Sequence, residues 1–293
     1  MNYDDLKLQI LLKQQQKNNN DNSVNNNDNS VNVVEKSVRG GDGPHSGQHP
    51  VNNNNLILKK SASANLSDVE VFDEQGNFKP PLQPLIISVI GKPSTGKSYF
   101  IKSLMYYYLK QNYFKFGMVI SRTKFNGDYD WCPDEYVKDE YDEQKLQQYI
   151  NKLRMYKKSK GYVPPSFLIL DDVLGAVSVY SNFWTQLISQ FRHFNLTLII
   201  ASQSITSKLT STLLRECVNI SVMFRSVFKN TIVASFESFG QLFENYDEFL
   251  NLYLKITGQK YHALLFINDK DSKEQSYFDY IAPPNTPEFK IKF

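Results

Sequence analysis

The chain has 293 residues and a net charge of +3, enough for one sizeable domain with additional segments. A charge so near balance gives no global field for nucleic acid, so any such contact must come from a local patch. Two cysteines, Cys132 and Cys217, and four histidines, His45, His49, His193 and His262, show no zinc-ribbon or HExxH spacing. That excludes a disulfide framework and an imidazole-held catalytic metal, and it fits a reducing compartment.

Residues 1–80 read as a low-complexity, mostly disordered head and linker. NNNDNSV at 18–24 recurs unchanged at 25–31, and such a tract has too little to bury to offset the entropy of ordering. Leu6, Ile10 and Leu11 sit near helical spacing, so 4–15 is either a short docking helix or a frayed polar one. PPLQP at 80–84 closes the linker, since successive prolines favour extended chain. No apolar run approaches the roughly 20 residues needed to span a bilayer, and the first residues lack a cleavable signal pattern. The chain therefore reads as soluble and intracellular.

From 85 onward, short apolar runs alternate with longer amphipathic stretches. The runs are LIISVI (85–90), FGMVIS (116–121), FLILDD (167–172), LTLIIAS (196–202), VNISVMF (218–224) and YHALLFI (261–267). They suit strands buried on both faces, as in a parallel sheet. Helices are predicted over 97–112, 143–159, 179–193, 206–216 and 239–256, with Phe183, Leu187 and Phe191 forming one apolar stripe. The expected fold is a three-layer α/β P-loop sandwich with a mainly parallel sheet, occupying 82–282.

GKPSTGKS at 91–98 fits GxxxxGK[ST] and follows directly on a predicted strand. Gly91, Lys92, Pro93, Ser94, Thr95, Gly96, Lys97, Ser98 and Tyr99 are the candidate ATP-binding residues. The glycines let the backbone turn its N–H groups toward phosphate, and the helix that follows adds its positive end. Lys97 is expected to reach the β- and γ-phosphates and Ser98 to ligate Mg²⁺. FLILDD supplies the acid-ended strand: Asp171 for the metal shell, Asp172 to polarise the attacking water. Taken alone, two acids after a strand fit a capped turn equally well. Gln203, at the end of LTLIIAS, is placed to sense the γ-phosphate. NDKD at 268–271 has the wrong order for the guanine-reading NKxD, so adenine nucleotide is the better reading.

Together, GKPSTGKS, LILDD and FRHFNLTLIIASQS (191–204), with LLRECVN (213–219) after them, resemble the FtsK/HerA superfamily of DNA-pumping ATPases. Within it they are most similar to the genome-packaging ATPases of nucleocytoplasmic large DNA viruses, poxviruses and virophages. The resemblance covers about 85–270. It implies an ASCE-type (RecA-like) core, a homo-oligomeric ring and ATP-driven translocation of double-stranded DNA into a preformed capsid. It also implies contacts with capsid or vertex proteins, and a location in the host-cell cytoplasm (the viral factory) and the virion. Many members carry Glu where this chain has Asp172, which puts the rate in question more than the role. Motors of this kind hydrolyse at a subunit interface completed by a neighbour's arginine; Arg215 is the favoured candidate, then Arg192, with Arg225 as a third.

For DNA contact, Lys152, Arg154, Lys157, Lys158 and Lys160 cluster beside Tyr156 and Tyr162, either a sequence-independent phosphate surface or a solvated helix face. Ser207 and Lys208 are the other candidates. Pro283, Pro284 and Pro287 break regular structure, leaving 283–293 as an extended tail: a strap across a neighbouring subunit, a capsid contact, or a frayed end. Three rival readings are another ASCE nucleic-acid motor, such as a helicase or DNA-transfer ATPase, a small-molecule P-loop kinase, and a non-hydrolytic scaffold that uses nucleotide only to assemble.

Overall fold

The computed structural model describes residues 57–58, 71–73, 77–173, 181–205, 211–268 and 275–291. The helix considered at 4–15, the asparagine repeat, and Ser207 and Lys208 lie outside them.

Nine strands form one sheet among the described residues: β1 Ile57–Leu58, β2 Ile86–Ile90, β3 Phe116–Ser121, β4 Val137–Lys138, β5 Ser166–Asp171, β6 Leu196–Ser202, β7 Ile220–Phe224, β8 His262–Asn268 and β9 Gln275–Ile281. Their spatial order is β1-β9-β8-β7-β2-β6-β5-β3-β4. From β7 to β4 every pairing is parallel, while β8, β9 and β1 add antiparallel strands at one edge. The expected mainly parallel α/β sandwich is what the chain forms.

Strand residues alternate between two cores, one on each face of the sheet. Ile86 and Ile90 of β2, Leu198 and Ile200 of β6, and Leu264 and Phe266 of β8 enter one core. Ile87, Val89, Ile199, Ala201, Ala263 and Leu265 enter the other. The first core is covered by α2 (Glu143–Lys160), α3 (Asn182–Gln190), α5 (Lys229–Phe239) and α6 (Tyr246–Thr257), and the second by α1 (Lys97–Lys110). The short α4 spans Thr212–Cys217. With both faces covered, the central strands carry apolar side chains at consecutive positions, which is why they read as runs and not as alternation.

Local signals set the helix ends. Asp142 accepts from the amides of Gln144 and Lys145 to start α2, and Gly161 ends it in the left-handed region. Ser181 caps α3 through the Trp184 amide, at 3.0 Å. Asn245 caps α6 through the Glu248 amide, also at 3.0 Å.

Three expectations change. The helix predicted over 239–256 is two: α5 ends at Phe239, a short turn follows, and the Asn245 cap begins α6 anew. The apolar stripe of α3 is rotated by one residue, because Trp184, Leu187 and Ile188 are buried with Phe191 just beyond while Phe183 is only partly covered. Burying the larger indole decides the face. The packing also begins before the prolines: Phe78 is buried against Phe100 and Tyr280, and Phe72 bridges to Phe78.

The C-terminal segment lies on its own chain, at least to Ile291. Phe289 stacks on Trp131 with ring centroids 5.4 Å apart, and the Ile291 amide donates to the Trp131 carbonyl at 2.9 Å. Ile291 itself is buried. Phe289 and Ile291 therefore pack on Trp131 of the same chain and do not fray. No described helix is long and apolar enough to cross a membrane.

Candidate functional site

The site is built where β2 ends. The Gly91 amide donates to the Ser202 carbonyl at 3.0 Å, fastening the tip of β2 to the tip of β6. Both loop glycines are sterically required. A Cβ at Gly91 would stand 2.7 Å from Phe224 Cβ, and one at Gly96 would stand 2.9 Å from Phe224 Cε1. Gly96 also has φ +122°, a backbone region that costs glycine little. Ser94 adopts φ +62°, which a serine does only under constraint from its surroundings. Helix α1 then starts at Lys97 with no side-chain cap and no acid in its first turn. Its leading amides and the positive end of its dipole therefore make an anion site.

Lys97 is buried, and its Nζ donates to the carbonyls of Gly91 (2.9 Å) and Lys92 (3.2 Å). The same ammonium stands 4.0 Å from Asp172 Oδ2. The Thr95 hydroxyl donates to the Lys92 carbonyl at 2.8 Å, which tightens the loop from within. Pro93 and Ser94 are exposed; Lys92, Ser98 and Tyr99 are half-buried.

The two acids arrive on β5. Asp171 is 4% exposed and sits opposite Ser121 of β3 in register, with the Ser121 hydroxyl donating to Asp171 Oδ2 at 3.2 Å. Burial, reinforced by the neighbouring Asp172 charge, holds the Asp171 carboxyl above the usual carboxylate range; Lys97 and Ser121 act against the rise. Asp172 leaves the strand at φ +48°, with its amide donating to the Ala201 carbonyl at 3.2 Å. That turn directs its carboxylate toward Lys97, while Oδ1 is buried without a protein hydrogen-bond partner. A buried carboxylate oxygen with no partner beside an uncapped helix start suits a hydrated divalent cation and the phosphate it neutralises. The residues present therefore fit Mg²⁺-ATP.

Strand β6 lies between β2 and β5, paired in parallel with both. Gln203 follows Ser202 directly, so it emerges between the phosphate loop and the acids with its side chain exposed. The structure brings Gly91, Gly96, Lys97, Asp171 and Asp172 together and sets Gln203 beside them.

The arginines are elsewhere. Because the strands are parallel, the segments entering them share the edge of the sheet opposite the phosphate loop. Arg192 lies just before β6, exposed, with its guanidinium 5.5 Å from the Phe191 ring. Arg215 lies near the end of α4 before β7, half-buried, donating to Thr212 Oγ1 at 3.3 Å. Each is a strand length from its own loop, roughly 16 Å for five residues. Arg225 follows β7 on the loop's edge and donates to the Gly258 carbonyl at 3.4 Å. The cluster Lys152, Arg154, Lys157, Lys158 and Lys160 is exposed on α2, toward the edge that carries Arg192. Arg154 sits 5.0 Å from the Phe194 ring, and Lys157 donates to the His193 carbonyl at 3.4 Å.

Sequence reading missed the segment after β3. Burial raises the Asp128 carboxyl, against a hydrogen bond from the Ser98 hydroxyl and the nearby Lys102 and Lys97. The Tyr129 hydroxyl is buried near Asp171 without closing a good hydrogen bond. The Trp131 indole donates to the Asp128 carbonyl at 3.1 Å. The available signal was acids interleaved with aromatics, GDYDW, on the loop after a parallel strand. Such loops share the edge that carries the phosphate site.

No protein-family model matches the chain. It is 26% identical over 209 residues to "Uncharacterized protein 075L" of Invertebrate iridescent virus 6, covering 70% of this chain and 79% of that one. Among solved structures it is similar to the genome packaging NTPase B204 of Sulfolobus turreted icosahedral virus 2. The complex with ATP-gammaS aligns with a TM-score of 0.50 at 16% identity, over 68% of this chain and 98% of B204. The complex with sulfate aligns with a TM-score of 0.50, over 71% and 99%. At that identity the likeness is one of fold.

Proposed function

We propose that this chain is an ATPase that drives double-stranded DNA into a preformed viral capsid. It works as a homo-oligomeric ring docked on capsid or vertex proteins, in the host-cell cytoplasm and the virion. The observation that carries the reading is the convergence on one sheet edge of an uncapped helix start, Lys97 at 4.0 Å from Asp172, and Gln203 beside them. The likeness in fold to a protein described as a genome packaging NTPase, bound to ATP-gammaS, supports it.

In this reading the backbone amides of 94–99 and the Lys97 ammonium hold the phosphates. Ser98 and Asp171 would hold the Mg²⁺ shell, and the ion would supply positive charge to offset that of the triphosphate. Asp172 accepts the proton of the attacking water. Its left-handed backbone turns the carboxylate toward Lys97, whose ammonium stands 4.0 Å away. Gln203, on the strand between loop and acids, transmits the phosphate state. Arg215 or Arg192, too far from its own loop, acts on a neighbour's site. The exposed lysines of α2 meet DNA phosphates through charge alone, which gives a motor grip without sequence preference.

The test is steady-state ATPase with blunt duplex or single strands, measured alongside oligomer mass with and without nucleotide. Stimulation by duplex in a ring-sized species is the expected result. Stimulation by single strands would favour a helicase, and a monomer indifferent to DNA that phosphorylates an acceptor would favour a kinase. Asp172→Asn is expected to keep ATP binding and lower turnover by about 10²–10⁴-fold. Unchanged turnover would remove the assignment.

A further inference from the structure

Asp172 and Gln203 follow β5 and β6, on one flank of β2. On the other flank, β7 ends at Phe224 and antiparallel β8 begins just after Tyr261, so that Phe224 and Ala263 are partners. Lys97 leans toward the first flank. A triphosphate lying along the loop with its γ end at Asp172 therefore sends its nucleoside toward the second.

Aromatic side chains are gathered there. The Tyr261 ring lies against the loop, since a Cβ added at Gly96 would come within 3.2 Å of Tyr261 Cδ1. It meets Tyr99, in the first turn of α1, edge to face with centroids 5.1 Å apart. The Lys260 ammonium stands 4.8 Å from the centre of the Tyr261 ring. The backbone at Tyr261 is held at φ +67°, a conformation that tyrosine rarely adopts, and its carbonyl accepts from the Ala282 amide at 2.9 Å. Both tyrosines are half-buried, so neither is sealed in the core. A strained backbone that brings an accessible aromatic ring against a phosphate loop is what stacking a planar ligand requires.

We propose that Tyr261, braced by Tyr99, is the platform on which the nucleobase stacks. The inference rests on the reading of 91–98 as the triphosphate site. A ring reads the π-face of a base and not its edge, so ATP and GTP are held alike by this contact.

The experiment compares Mg²⁺-dependent binding of ATP, GTP and inorganic tripolyphosphate by calorimetry, using the full chain. Tyr261→Ala is expected to weaken ATP and GTP by roughly ten-fold or more while tripolyphosphate binds as before, and Tyr261→Phe is expected to restore both nucleotides. Retained tripolyphosphate binding also reports that the variant folds; should Tyr261→Ala bind nothing, Tyr99→Ala carries the same comparison. Equal ATP affinity in wild type and variant, or a loss instead with Phe228→Ala, whose exposed ring lies 4.7 Å from the Lys92 ammonium, would overturn the platform and leave the phosphate site standing. Wild-type protein that binds neither nucleotide nor tripolyphosphate would overturn the phosphate site, and this inference with it.

Discussion

The two edges of the sheet carry left-handed backbone differently. Among the described residues on the edge that strands enter, the positive-φ residues are Asn112, Gly161 and Asn195. Glycine takes this conformation at little cost and asparagine tolerates it, and each of these residues ends a helix or turn. On the edge that carries the phosphate loop, Gly96 and Gly127 are joined by Ser94, Asp172 and Tyr261. Aspartate shares some of asparagine's tolerance, but serine and tyrosine do not. One edge is built for chain reversal, and the other stores strain to aim side chains, as active sites commonly do.

The largest expected effect crosses between the edges. If an arginine on the far edge completes a neighbour's site, Arg215→Ala should lower duplex-stimulated turnover by about 10³-fold and leave ATP affinity unchanged. Mixing it with Lys97→Ala protomers should recover activity, since each supplies what the other lacks. Failure to recover, with Arg192→Ala recovering instead, would move the role to Arg192. The exposed lysines of α2 come next. Replacing Lys157 and Lys158 with alanine should flatten the dependence of log affinity for duplex on log salt by roughly one unit per lysine. An unchanged slope in a binding titration would return the cluster to a solvated face.

The third prediction concerns the cost of the buried acid. Burial raises the Asp171 carboxyl in the folded state. Its contribution to stability is therefore fully present below the unfolded value of about 3.9, and it is lost as pH rises through the raised folded value. Asp171→Asn should consequently melt at a higher temperature than wild type at pH 7, with the advantage vanishing in acid, while Mg²⁺-dependent ATP binding falls. A lower melting temperature at pH 7 would show that Ser121 and Lys97 outweigh burial. The smallest effect tests the comparison itself. Ser94→Gly should stabilise by up to about 1 kcal/mol through relief of strain, whereas Asn112→Gly should change little; equal shifts in chemical denaturation would remove the contrast.

Much of the site was legible beforehand because it is local. GKPSTGKS needs only a preceding strand and a following helix to work, and LILDD needs only to be a buried strand with its acids at the tip. The arginines and the aromatic flank were not legible, because their meaning depends on which edge of the sheet a segment reaches. Asp128 is 37 residues from Gly91 and bears on Ser98 only because β3 runs parallel to β2. The tail shows the same limit. Its prolines exclude regular structure, but where Phe289 and Ile291 pack depends on Trp131, more than 150 residues earlier.

From the order of its residues alone, this chain determines its alternation of strand and helix, the glycines and lysine of its phosphate loop, and the pair of acids that answers them. These depend on neighbours within a few positions, where backbone sterics and hydrophobic period act directly. Only the folded sheet decided that β6 lies between the loop and the acids, that Arg192 and Arg215 stand a strand length away, and that Tyr261 rests on Gly96. Strand order is chosen by burial of both faces summed over the whole domain, a quantity that no short stretch of sequence contains.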